Sequence, residues 1–434
     1  MKRIVLSSLL ILISVVSSYA QQLEVLRLTP NEIEQLFLNQ NLELIAGSMN
    51  ISAADAMIAQ AKVWDNPSVS ISNVNLWSTR NQRDGEREVI PPLIGSFAKN
   101  TEFSIELSQM ITLARKRSKL VAMETVSKEI AIKQFEDLLR NLKYELRKSL
   151  NQAIYLSSYY DILKAQCDAF EQIISSYKKN NHAKNIAGRE IVRLQAELFG
   201  LQAEMNQIKR EVNASHTAIK NALSSDPFVS LQIKNEGFPE PESIDLTMPE
   251  IIDIASVHRP DLSIAQLNVK YQESLLRYEK AQRAPNLNLS ANYDRAGGVW
   301  KDFIGFGVGM DLPLFNRNKG AIKSAQIAID QHKTIAQQEN LTAINEIRES
   351  MDNYTDLCNF YNQTKEQMLI ADLSDMYKNY SKNMLNRNIS ILEFMDFFES
   401  YKNSSGKWLE IQKDIADNFQ TIQYLLGTEI QLKK

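Results

Sequence analysis

The chain has 434 residues, 44% of them hydrophobic and 23% charged, with a formal net charge of −3. That is ample apolar surface for a sizeable core, so the sequence is neither a peptide nor a disordered tail. Lys, Arg, Asp and Glu are mixed without a basic excess, which excludes the electrostatic footprint of a nucleic-acid binder; no nucleic acid is expected as a partner.

Residues 1–20, "MKRIVLSSLLILISVVSSYA", combine a basic start, an apolar run from Ile4 to Val16 and a small-x-small end at Ser18 and Ala20. This is the pattern of a secretory signal peptide cut after Ala20. The apolar run is shorter than the roughly 20 residues a spanning helix needs. No long uncharged apolar segment follows, so the expectation is an exported protein with no transmembrane helix. A closed β-barrel stays compatible, because strands alternating apolar and polar residues give only a weak hydropathy signal.

The next elements come in pairs. A helical pattern over 31–63 runs into "PSVSIS" at Pro67, and a second over 249–283 runs into "PNLNLSANY" at Pro285. Both switch from helical to period-2 spacing after the proline. Alternation returns at Phe103, Ile105 and Leu107, and again at Phe306, Val308, Met310 and Leu312. Each half is therefore expected to form one β-hairpin, about 67–112 and about 285–314, with strands of about nine to eleven residues, the length that crosses a bilayer when tilted. Long proline-free helices are expected from Lys116 to Tyr177 and from Lys319 to Tyr380, roughly 90 to 100 Å each at 1.5 Å per residue, in the manner of coiled coils. Asparagine-rich turns and return helices over 189–223 and 392–426 follow.

The chain is thus written twice. "LTPNEI" at Leu28 matches "LTMPEI" at Leu246, an offset of 218; Leu44 matches Leu262, Asn50 matches Asn268 and Pro67 matches Pro285. Downstream, "YKKNNHAKNIAGRE" from Tyr177 matches "YSKNMLNRNISILE" from Tyr380, an offset of 203 with six identities in fourteen positions. The fifteen extra residues of the first copy fall in the polar, proline-bearing stretch between Ser72 and about Gln109. The expected domains are 1–20, 21–245 with a tip turn at 181–188, and 246–434 with a tip turn at 384–390. On this repeat the only cysteines, Cys167 and Cys358, sit about twelve residues or some 18 Å apart in helix height, beyond disulfide reach, so two free thiols are expected.

Two hairpins make four strands, and an open four-stranded sheet cannot sit in lipid with bare edges. Strands must come from neighbours, and a cyclic trimer would supply twelve.

The duplication, the strand starts "PSVSIS" and "PNLNLS", the element "LPLFNRNKG" at 312–320 and "ISILEFMD" at 389–396 together resemble the TolC-like outer-membrane efflux factors, over nearly the whole mature chain. The resemblance implies a mainly α fold with a small membrane β-barrel contribution. Its unit is a duplicated helix, hairpin, long helix and helix, and its assembly is a homotrimeric 12-stranded β-barrel continuing into a periplasmic α-helical coiled-coil tunnel. It implies an exit channel in the outer membrane and its lipid, docked to a periplasmic adaptor protein and an inner-membrane pump of the resistance-nodulation-division type, or serving a type I secretion system. Neither catalysis nor a cofactor is implied.

Site residues follow from the same match. Glu393 and Asp396 correspond, through "ILEFMD", to the acidic pair that rings the narrow periplasmic entrance in the family; the first copy places Glu190 and Arg193 at the equivalent positions. Three residues apart, each pair lies on one helix face. Six carboxylates around a threefold axis would select cations and raise some carboxylate pKa values by mutual repulsion. Contacts of Glu190, Arg193 and Arg387 would hold a resting tunnel closed. The tip residues Lys184, Asn185, Asn386, Arg387 and Asn388 would face the adaptor. Family members usually carry glycine in this turn, whereas the chain has Asn181, Asn185, Asn386 and Asn388; asparagine tolerates left-handed backbone and can replace it.

Other classes fit less well. The four histidines, His182, His216, His258 and His332, show no metal-ligand spacing, and no phosphate loop or nucleophile elbow is present. "GFGVG" at 305–309 lies in strand alternation and reads as small residues on one strand face rather than a nucleotide loop. A soluble periplasmic coiled-coil adaptor would explain the export signal and the helices. It leaves the duplicated hairpins unexplained, as it does the aromatic residues Trp77, Tyr293 and Trp300 near their ends. The exported substrate, whether metal cation, drug or protein, is not encoded in any motif.

Overall fold

Both copies begin with the same local device. Thr29 and Glu32, then Thr247 and Glu250, close capping boxes in which the Glu carboxylate accepts hydrogen bonds from the Thr backbone N–H (2.7 and 2.8 Å) and hydroxyl. With proline in the first turn, each fixes a helix start. The structure, a computed structural model, describes residues 25–75, 102–179, 186–297, 300–367, 370–386 and 388–430.

In chain order the elements are β1 (Val25–Leu28), α1 (Pro30–Gln40), α2 (Leu42–Lys62), β2 (Ser68–Asn75), β3 (Glu102–Ile111), α3 (Lys116–Lys179) and α4 (Ile186–Ala222). The series then restarts with β4 (Ser230–Ile233), α5 (Met248–His258), α6 (Pro260–Ala281), β5 (Leu287–Gly297), β6 (Trp300–Met310), α7 (Lys319–Gln367), α8 (Ile370–Leu385) and α9 (Ile391–Leu426). The hairpins, the long helices and the return helices lie where the periodicity places them. The opening helix of each copy does not run through. Asn41 takes extended backbone between α1 and α2, its side-chain oxygen accepting from Leu44 N–H (2.8 Å) and its amide donating to the Ala222 carbonyl (2.7 Å). Arg259 likewise takes extended backbone between α5 and α6, where Pro260 lacks the N–H to continue the helix and pushes its predecessor out of helical backbone. Of the second long helix the structure describes α7 and α8, on either side of residues 368 and 369, which lie outside the described residues.

The described residues form two compact units, one of residues up to Ser48, Phe135–Pro260 and from Asn340 on, the other of Met49–Gln134 and Asp261–Glu339. In the first unit each copy packs its own core. Ile33, Phe37, Leu146, Ile219 and Leu223 are buried together in copy one, and Ile251, Ala255, Ile347, Ile422 and Leu426 in copy two. Ile33 and Ile251, Ile219 and Ile422, and Leu223 and Leu426 are repeat equivalents. The turns after them are equivalent as well: Ser224 at φ 50° and Gly427 at φ 71° are both left-handed. The glycine is needed, because a Cβ there would lie 2.6 Å from the His258 carbonyl oxygen. β1 and β4 pair in parallel in the same unit.

A polar cluster ties α1, α3, α9 and the segment after it. Arg147 is bidentate to Glu34 (2.9 and 2.9 Å), reaches Gln423 (2.8 Å) and Glu429 (2.6 Å), and shares both carboxylates with Lys143. Hydrogen bonds from Lys143 and then Arg147 hold the Glu429 carboxyl below its ordinary pKa. Cys167 and Cys358 are free and belong to different cores, as their helix heights require.

The second unit holds the sheet, with order β2-β3-β5-β6 and every pair antiparallel. Its register sorts the side chains. One row aligns Val69, Leu107, Ala291 and Phe306, and the next aligns Ile71, Ile105, Tyr293 and Ile304. On the other face the rows are Ser68, Ser108, Ser290 and Gly307, then Ser70, Glu106, Asn292 and Gly305. The "GFGVG" glycines therefore do lie on one strand face. A Cβ on Gly305 or Gly307 would come within 2.5 Å of Asn292 Oδ1 or Ser290 Oγ, so a side chain at either position would displace these polar groups of the neighbouring strand.

Candidate functional site

Two places carry chemistry beyond packing: the far end of the long helices and the sheet. At the helix ends, α3, α4, α8 and α9 bury Leu163, Phe170, Tyr177, Leu194, Met384 and Phe394 in one core. Phe394 has no exposed surface; its ring lies 5.5 Å from Phe170 and 4.8 Å from Phe398. Ile391, Phe394 and Phe398 of "ISILEFMDFF" are thereby accounted for, whereas Leu392 stays 60% exposed. With period 3.6, Ile391, Phe394 and Phe398 turn inward, leaving Glu393 and Asp396 exposed on the opposite side.

Glu393 has a local role that the spacing of the two carboxylates did not reveal. Its carboxylate accepts from the Ser390 N–H (2.9 Å) and hydroxyl (2.9 Å), and its own N–H donates to Ser390 Oγ (3.2 Å), closing a third capping box. The Ser390 N–H, and then its hydroxyl, hold the Glu393 carboxyl below its ordinary pKa in the protomer, opposite in direction to the shift expected from crowding of carboxylates. The "S-x-x-E" spelling was the available signal. Asp396 is exposed and three residues on; Glu399 extends the same stripe by another three. On α4, Glu190 is half-buried and Arg193 exposed. Among the described residues no ion pair joins Glu190 or Arg193 to Glu393 or Asp396.

The tip residues Lys184, Asn185 and Arg387, with Asn181, lie outside the described residues. Asn386 and Asn388 are exposed, but neither takes left-handed backbone. The turn closes differently: Asn388 N–H donates to the Asn383 carbonyl (2.8 Å), and Asn386 N–H to Lys382 (3.1 Å). Just behind the tip core, Glu204 of α4 accepts from Tyr159 of α3 (2.6 Å) and Lys402 of α9 (2.9 Å), a cross-helix tie the sequence did not disclose.

The sheet contributes a different feature. Its apolar face stands open, with Val69 67%, Phe306 87% and Val308 74% exposed, while β2 and β6 form its two edges. A contiguous apolar face of this kind marks a buried contact or lipid. No described helix is long and apolar enough to cross a membrane. Among the described residues no cluster of His, Cys, Asp and Glu could hold a metal ion.

No family model matches the chain, and no curated protein matches its sequence. Solved structures do. The CusC transmembrane channel aligns over 92% of both chains at TM-score 0.71 and 15% identity. The Campylobacter jejuni CmeC outer membrane channel aligns over 92% of this chain and 85% of its own, at TM-score 0.73 and 15% identity. The Vibrio cholerae outer membrane protein VceC aligns over 92% and 96%, at TM-score 0.71 and 16% identity. Identities this low speak to the fold, and the duplicated helices with their four antiparallel strands match along nine-tenths of the chain: it has the fold of the TolC-like outer-membrane channels.

Proposed function

We propose that this chain is the outer-membrane exit channel of a tripartite efflux pump, conducting substrates passively from an inner-membrane transporter and a periplasmic adaptor to the outside. The observation that carries the reading is the sheet. Four strands with two open edges and one exposed apolar face cannot remain alone in water or in lipid. Three copies supply twelve strands and remove every edge, giving a homotrimeric barrel with the serine, asparagine and glycine rows facing its lumen. Likeness of fold to the CusC, CmeC and VceC channels supports the same reading. In it the helix ends line the periplasmic entrance: Glu393 and Asp396, with Glu190 and Arg193, ring the constriction, and the turns around Lys184, Asn185, Asn386, Arg387 and Asn388 meet the adaptor. The pump is of the resistance-nodulation-division type, and no step is catalytic.

The test is cell fractionation with carbonate washing, followed by mass determination of the detergent-purified complex. Recovery in the outer membrane as a trimer is expected. A stable monomer in the soluble periplasm would overturn the barrel and favour a coiled-coil adaptor.

A further inference from the structure

The four strand–helix junctions of the sheet lie at one end. Ile111, Leu287 and Met310 share a row there, and Ser68 starts its strand at the same end, so the links from α2 to β2, β3 to α3, α6 to β5 and β6 to α7 all leave together. Their composition is unlike the rest of the chain. Segments 62–66, 112–119, 279–286 and 311–319 hold nine Lys or Arg against three carboxylates, Asp65, Glu279 and Asp311, although the whole chain is at −3.

Lys116 is turned inward onto Asn286 Oδ1 (2.6 Å). Arg115, Arg283, Arg317 and Lys319 are exposed, and no ion pair engages them among the described residues. Arg115 and Asn318, repeat equivalents, both hold left-handed backbone at φ 56° and 54°, so the two strand-to-helix junctions turn alike. Bulky apolar groups stand beside the cations. Trp64 is 56% exposed with the Arg117 guanidinium 4.0 Å over its ring, Leu314 is 61% exposed and Phe315 fully exposed. Aromatic residues interleaved with Lys and Arg where an apolar surface ends are what a membrane–water interface selects.

We propose that this end of the sheet is a collar for anionic phospholipids, the cations engaging headgroup phosphates while Trp64, Leu314 and Phe315 enter the acyl boundary of the leaflet nearer the helices. The inference rests on the membrane-barrel reading. Each Lys or Arg near an anionic surface contributes about fivefold in affinity, screened by salt.

In the test, phosphatidylglycerol or phosphatidylcholine is added to the detergent-purified full chain, and native mass spectrometry counts the lipids retained. Wild type should prefer phosphatidylglycerol by at least about tenfold at low salt, falling toward parity near molar salt. Replacing Arg115, Arg283, Arg317 and Lys319 with Gln should abolish the preference, whereas Lys209→Gln with Arg210→Gln on α4 should leave it. Equal retention of the two lipids by wild type, a preference indifferent to salt, or full preference in the fourfold variant would overturn the collar. The same spectra give the oligomer mass: a trimer without preference sinks the collar alone, and a lipid-free monomer sinks the barrel reading with it. Should the variant fail to trimerise, the wild-type salt series decides.

Discussion

Phe394→Ala tests the tip core. Phe394 is fully buried and contacts Phe170 of α3 and Phe398 of its own helix, at ring separations of 5.5 and 4.8 Å. Truncating a buried Phe costs about 3 to 5 kcal/mol, the aromatic pairing included. At about 1.4 kcal/mol per decade, the opening equilibrium of the tip should rise by about a hundredfold to a few thousandfold. Global melting is a poor readout for a large oligomer, so the assay is native-state amide hydrogen exchange. Protection should fall in 163–177, 191–201 and 391–401, which share this core, and hold in 33–37 and 219–223, which belong to another. A loss of less than about tenfold at the tip, or an equal loss in both regions, would refute the claim that the tip is an independently packed core.

Four further outcomes follow. Gln can still close a capping box, so Glu393→Gln with Asp396→Asn should abolish block by multivalent cations in planar bilayers while Ser390→Ala, which costs about 1 kcal/mol of helix capping, leaves block intact; persistent block in the double variant would show that these carboxylates do not line the constriction. Charge reversal at Lys184 and Arg387 should lower efflux at unchanged protein level, and normal efflux in both would count against adaptor docking there. Gly307→Val places a Cβ against Ser290 Oγ, an overpacking cost of about 1 to 3 kcal/mol that Ser290→Gly should largely relieve in trimer melting. The Glu429 carboxyl is held low, so its stabilisation is complete above the ordinary carboxylate range and is lost as pH falls through the depressed value, below about pH 4; thermal melts of Arg147→Met across pH 3 to 7 should show a flatter acid slope than wild type, and parallel slopes would remove Arg147 from that role.

Periodicity and repetition by themselves determined the order of the hairpins and long helices, the duplicated framework and the strand faces, because helix and strand spacing are local properties and the copies differ mainly by one insertion between β2 and β3; the parallel pair β1 and β4 was not among them. They also separated the carboxylates of "ILEFMD" from its apolar residues. The break at Arg259 and the capping box of Ser390 and Glu393 were written locally, in Pro260 and in the S-x-x-E spelling. Tertiary structure decided what spacing cannot: the break at Asn41, where a cap to the distant Ala222 carbonyl outweighs an unbroken helical pattern; the Arg147 cluster, whose partners are more than a hundred residues away in sequence; and the gathering of cations at one end of the sheet. Those cations are scattered over 258 positions, from 62 to 319, and no window of sequence contains them. Only strand register, which depends on hydrogen bonds between remote segments, brings them to one end of the sheet.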